Sequence, residues 1–154
     1  INPRLTKTYR NLEHYGNPEK ILSDVEKQIR RRILLQTKTL ILTPRYLVEL
    51  SDDICAIIPL PEVLWIYDHA AMRRTIKGRQ LSYTIHVVTM KGEEYTLTGK
   101  SHREVSAIYH ELNTRYPNFF FGYSKEHQEM VQYVLHEMKN EKHKKSVYKM
   151  NQRT

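Results

Sequence analysis

The chain has 154 residues, 25 Lys and Arg against 17 Asp and Glu, a net charge of +8 and 40% hydrophobic residues, which suits one globular domain with its own core and excludes fibrous and disordered classes. Cys55 is the single cysteine, which excludes an internal disulfide framework and a thiolate-cluster metal site and points to a reducing compartment. No apolar run reaches the roughly 18 residues needed to cross a bilayer, and Ile1-Asn2-Pro3 is no signal peptide; a start at Ile1 instead of Met leaves room for an upstream segment, a membrane anchor included.

Leu5, Tyr9, Leu12 and Tyr15 recur at helical spacing and Gly16 follows as a stop, so the chain is expected to open with a short amphipathic helix. Asn17-Pro18-Glu19 then supplies an N-cap, a proline at the first helical position and an acid in the first turn. Ile21, Leu22, Val25 and Ile29 form the apolar stripe of a second helix, roughly 18 to 31. Arg30-Arg31-Arg32 at its end suits the negative pole of the helix dipole.

From about Thr37 the period becomes 2. Leu40 and Leu42, the break Thr43-Pro44, and Tyr46, Val48 and Leu50 predict two tightly joined strands. Ser51-Asp52-Asp53 reads as a turn, Ile54 to Ile58 as a further strand, and Pro59-Leu60-Pro61 as an interruption. Val63 to Tyr67 is apolar on both faces, as in a strand deep in a sheet, with Trp65 as core anchor. Between Ala70 and Leu81 the polar, basic stretch Met72-Arg73-Arg74-Thr75-Ile76-Lys77-Gly78-Arg79-Gln80 reads as a mobile hairpin loop. Tyr83 to Val88, the turn Lys91-Gly92 and Glu94 to Thr98 form a hairpin. Ser101 and Glu104 are spaced as a capping box before a helix of about 102–115 that carries Val105, Ile108 and Leu112. Tyr116-Pro117-Asn118 ends it, Phe119 to Gly122 is an apolar link, and Ser124 caps a last helix with Met130, Val131, Val134, Leu135 and Met138.

Six Lys or Arg against one acid follow from Lys139 onward, so +5 of the +8 belongs to the C-terminal tail and +3 to the rest. Such a run reads as a solvated, frayed helix end before it reads as a binding arm.

A catalytic site needs a nucleophile or an acid/base pair with an orienting partner. Cys55 sits inside an apolar strand, where a lone cysteine acts as a small hydrophobe. Asp52-Asp53 and Glu93-Glu94 are adjacent, and neighbours in a strand point to opposite faces. His136-Glu137 opens like a zinc-protease motif, but Asn140 stands where the second histidine belongs. The other histidines lack metal-ligand spacing, and the five glycines form no phosphate loop, so no catalytic, cofactor or metal residues are assigned. The remaining cluster is Arg73, Arg74, Lys77 and Arg79, whose cations could grip the phosphates of a lipid head group or an acidic partner. Without aromatic interleaving or a recognition helix, nucleic acid is disfavoured.

Residues 38–116 are similar to bacterial pleckstrin-homology-like (PH-like) domains in the run Leu40 to Val48 with its Thr43-Pro44-Arg45 element, in Ile58-Pro59-Leu60-Pro61-Glu62-Val63 leading to Tyr67, in the Tyr83–Leu97 hairpin and in the 102–115 helix. With Tyr15-Gly16 and Phe121-Gly122-Tyr123-Ser124, the whole chain resembles an uncharacterised bacterial family built on that domain, some members of which are expected to be membrane-tethered. The resemblance implies an α+β fold: a bent antiparallel sheet or partly open barrel closed by a helix, with two N-terminal helices and one extra C-terminal helix. It departs from the usual pattern in those added helices and in lacking a phosphoinositide signature.

The expected organisation is a single domain, with helices in 1–32, a PH-like core at 37–116, a C-terminal helix at 117–142 and a basic tail at 143–154. The expected role is that of a non-enzymatic interaction or scaffolding module, cytoplasmic or at the cytoplasmic face of a membrane, with an unidentified protein partner and no cofactor. Peripheral binding to anionic lipid through Arg73, Arg74, Lys77 and Arg79 is the first alternative and an unrecognised hydrolase or metal enzyme the second. No oligomeric state is assigned.

Overall fold

Asn17 shows how closely local chemistry sets the boundaries: its side-chain oxygen accepts from the amides of Glu19 and Lys20 at 3.0 and 3.4 Å and starts helix α2, Pro18–Arg31. A computed structural model of the chain describes residues 3–51, 55–116 and 120–152. Helix α1, Pro3–Leu12, precedes α2. Strands β1 Leu35–Gln36, β2 Leu40–Leu42, β3 Tyr46–Leu50 and β4 Cys55–Pro59 form one antiparallel sheet in the order β1-β2-β3-β4. A 3-10 turn at Leu60–Glu62, where Pro59 and Pro61 interrupt the ladder, leads to β5 Val63–Thr75, β6 Gly78–Thr89 and β7 Glu94–Lys100. Helix α3, His102–Arg115, the short β8, Phe120–Phe121, and the long α4, Lys125–Gln152, complete the chain. The second sheet has the order β7-β6-β5-β8, with β8 parallel to β5.

The molecule is therefore mixed α+β, with two four-stranded sheets and, among the described residues, four α-helices and no closed barrel. The turn read at Asp52-Asp53, the strand start at Ile54, and Pro117, Asn118 and Phe119 lie outside the described residues.

Three apolar clusters explain the layering. The central one joins Leu40, Leu42, Leu47 and Ile58 of the first sheet to Ile66, Ile85, Val87 and Leu97 of the second, and Val105, Ile108 and Leu112 of α3 seal it. Opposite faces of β3 and β4 present Tyr46, Val48 and Ile57 to Leu12 and Val25 of α1 and α2. Strands covered on both sides lose the apolar–polar alternation of a half-exposed sheet, hence the consecutive apolar residues Tyr46-Leu47-Val48 of β3 and Ala56-Ile57-Ile58 of β4. On the outer face of the second sheet, Leu64, Trp65 and Val88 pack against Val131 of α4, with Val134 and Leu135 alongside. The Trp65 indole N–H donates to the Gly122 carbonyl at 2.9 Å, so Trp65 is the core anchor its flanking residues predict.

The capping box is complete: the Ser101 hydroxyl accepts from the Glu104 amide, and the Glu104 carboxylate accepts from the Ser101 amide. Two expectations need correction. Residues 70–81 are not a loop, because β5 and β6 stay in register out to Thr75 and Gly78 around a two-residue turn, Ile76-Lys77. The C-terminal helix does not end near 142 but runs to Gln152, and from Glu137 onward its described residues are exposed. The short β1 and β8 are additions that sequence periodicity does not reveal.

Candidate functional site

The β5–β6 pair outruns its neighbours. β7 last pairs with β6 at Tyr83, and among the described residues β8 pairs with β5 at Trp65 and Ile66, so residues 71–82 stand out as a two-stranded ribbon. A bulge sets this limit: pairing slips between Tyr83 and Ile85, and Gly99, at φ +67°, takes the left-handed conformation there. At the tip, the Thr75 hydroxyl donates to the Gly78 carbonyl at 2.8 Å, and Gly78 has φ +113°.

The strand period distributes the four predicted cations. Arg74 and Arg79 are directly opposed in register and share a face with the next pair, Met72 and Leu81. Arg73 lies on the other face opposite Gln80, and Lys77 sits in the turn. The fold thus brings Arg74 and Arg79 together and separates Arg73 from them. Among the described residues none of the four forms an ion pair. Apolar groups accompany them: Met72 is 62% exposed, Leu81 55%, and Ile76 fully exposed. Exposed apolar side chains interleaved with unpaired cations are the part of this site that sequence reading missed, although the period-2 placement of Met72 and Leu81 was available to find it.

Below the ribbon lies an open cleft of about 330 Å³, lined by Arg73, Gln80, Ser82, Lys100, Ser101 and Glu104 among others. Two of its ionisable groups, Lys100 and Glu104, are engaged. Lys100 Nζ donates to Glu49 Oε1 at 2.7 Å and to Thr39 Oγ1 at 3.2 Å. Glu104 accepts from the Thr37 hydroxyl at 2.8 Å as well as from the Ser101 amide. Burial pushes the Glu49 carboxyl above its ordinary range, against the opposing hydrogen bond and charge of Lys100.

The outer face of the second sheet carries a run of rings. Tyr67 stacks on His86 at 4.6 Å between centroids and lies 4.3 Å from Trp65, and Tyr123 covers both Trp65 and Tyr67. His69 Nδ1 is 3.1 Å from His86 Nε2, one ring donating to the other. Burial, then the neighbouring His69, lowers the pKa of His86 from 6.5. Two imidazoles alone make an incomplete metal site, and among the described residues no group of three or more His, Cys, Asp or Glu is placed to hold a metal ion. Cys55 is half-buried, and its carbonyl accepts from the Thr8 hydroxyl. Among the described residues no helix is long and apolar enough to cross a membrane.

These elements define a mixed α+β domain whose most accessible chemistry is a basic, apolar-tipped ribbon. A family model described as a domain of unknown function (DUF6709) matches residues 17–131, and the chain belongs to that family. No curated protein and no solved structure matches it.

Proposed function

We propose that this protein is a non-catalytic interaction module of PH-like architecture that offers the β5–β6 ribbon to a partner in a reducing compartment. The strand order supports the architectural part: a four-strand meander, a three-strand meander and a helix that closes the core between them follow one another along the chain. One observation carries the functional part. Residues 71–82 leave the body of the sheet with Met72, Ile76 and Leu81 exposed and with four cations that form no ion pair among the described residues. A free two-stranded ribbon is marginal in water, and like charges directly opposed weaken it further, so these residues are better suited to a covered, counter-charged setting than to solvent. The enzyme reading has weaker support, because Lys100 and Glu104 in the cleft are held by contacts within the fold, Lys100 by Glu49 and Glu104 by Thr37 and the Ser101 amide.

Site-specific photo-crosslinking in cells tests this. A photoreactive residue at position 76 or 81 is expected to give adducts that the same residue at exposed position 103 on α3 does not. Equal labelling at all three positions, or turnover of a small molecule that is lost when Lys100 or Glu104 is replaced, would sink the proposal.

A further inference from the structure

We infer that the surface which covers the ribbon is an anionic lipid bilayer, entered by Ile76 with Met72 and Leu81 behind it; this rests on the ribbon being the contact surface. The arrangement runs in rows. From the body outward, one face presents the opposed pair Met72 and Leu81, then the opposed pair Arg74 and Arg79, and the turn ends in Ile76 and Lys77. Successive rows are two residues apart, about 7 Å along a strand. Apolar and cationic groups therefore alternate over a depth comparable to a bilayer interface, where acyl carbon and phosphate lie within a similar distance.

Shape and charge favour a bilayer over an acidic protein. The tip is convex and its turn residue fully exposed, so a protein would have to supply a socket, whereas the lipid interface closes around any small apolar tip. The Arg74–Arg79 pair lacks an acidic partner within the described residues, and a phosphate bound between two guanidinium groups would turn their repulsion into two charge-assisted contacts. Long arginine stems can lie along the apolar row while their heads reach phosphate. Arg73 on the opposite face and Lys77 in the turn add cations on the other sides of the tip, so the charge collars the apolar end.

Co-sedimentation of the full chain with vesicles of neutral phosphatidylcholine, and of the same lipid with one third phosphatidylglycerol, tests the assignment. Binding is expected with anionic vesicles only. R74Q/R79Q should lower the partition coefficient by roughly 25-fold, since each cation near such a surface is worth about fivefold. I76S should lower it severalfold at unchanged charge, while I76L retains it. Replacing the tail lysines (K142Q/K144Q/K145Q) is expected to have the smaller effect. The positions are exposed, so circular dichroism of each variant should match the parent. Adducts from position 76 to protein, with no preference for anionic vesicles, would overturn the lipid assignment and leave the interaction-module reading standing. Anionic binding that is indifferent to I76S and to R74Q/R79Q but lost with the tail lysines would overturn the lipid-inserting ribbon. Equal photo-labelling at positions 76, 81 and 103 would overturn the ribbon as contact surface altogether.

Discussion

Lys100 Nζ and Glu49 Oε1 meet at 2.7 Å with both side chains 1% exposed, tying the last residue of β7 in one sheet to β3 in the other. Glu49 Oε2 has no hydrogen-bond partner among the described residues. A charge in that position depends on its counterpart, because desolvation is compensated only while both are present. K100M should therefore destabilise the protein by about 3–5 kcal/mol, and the double variant K100M/E49L should recover much of the loss. Equilibrium denaturation of the three variants checks this; equal loss in the single and the double variant would contradict it.

His86 gives the fold an acid-side sensitivity. Its folded pKa lies below 6.5, first through burial and then through His69. Above pH 6.5 the ring is neutral folded or unfolded and its contribution is fully present. As pH falls below 6.5 the unfolded chain takes up a proton that the folded ring resists, so stability declines until the folded pKa is reached. Imidazole NMR should show His86 titrating below 6.5, and H69Q should move it upward by removing the neighbouring charge. A titration at or above 6.5 in the parent would refute this assignment.

Gly78 closes the ribbon at φ +113°, a conformation that L side chains rarely adopt, with open space around the missing Cβ. G78A should thus strain only the backbone, by about 1 kcal/mol, and the strain should stay local. Amide exchange should accelerate in residues 71–82 while the central strands keep their protection. Uniform acceleration through the second sheet would show the ribbon to be coupled to the core.

Removal of the Ser101 hydroxyl by S101A should cost about 1 kcal/mol, the usual value of an N-cap, and S101G less. Thermal unfolding distinguishes the two.

Truncation after Asn140 should leave the thermal midpoint unchanged, because the described residues beyond it are exposed. Emission from Trp65, the one tryptophan, should be unchanged too, since its contact with α4 is made by the segment around Val131. V131D, by contrast, should shift that emission to the red.

Legibility in the sequence followed burial. Helix α2, the capping box of α3 and the Lys91-Gly92 hairpin were readable because a cap, a stripe or a turn residue marked each of them. The ribbon was not, because residues 71–81 are exposed on both faces, so the period-2 placement of Met72 and Leu81 is not reinforced by a buried apolar face along the rest of the segment. The end of α4 escaped for the same reason, because its far half has no buried stripe and Val147, Tyr148 and Met150 stand exposed among polar residues. β1 and β8 are two residues each, too short for a period to repeat. Lys100 and Glu49 are 51 residues apart, and nothing local announces that they pair. Of the site itself, the four cations were visible in sequence, but not their division between faces or the apolar groups among them.

The pairing order of the strands also bears on how the chain assembles. Within each meander, β1 to β4 and β5 to β7, every strand pairs with its neighbour in sequence, so only short loops need closing and both can form early. The exception is β8, laid parallel on β5, with Trp65 bonded to Gly122 across 57 residues. That long closure belongs late in folding. In stopped-flow refolding, the single tryptophan is expected to reach its native signal after the sheets have formed, making docking of the C-terminal segment a kinetically separable last step.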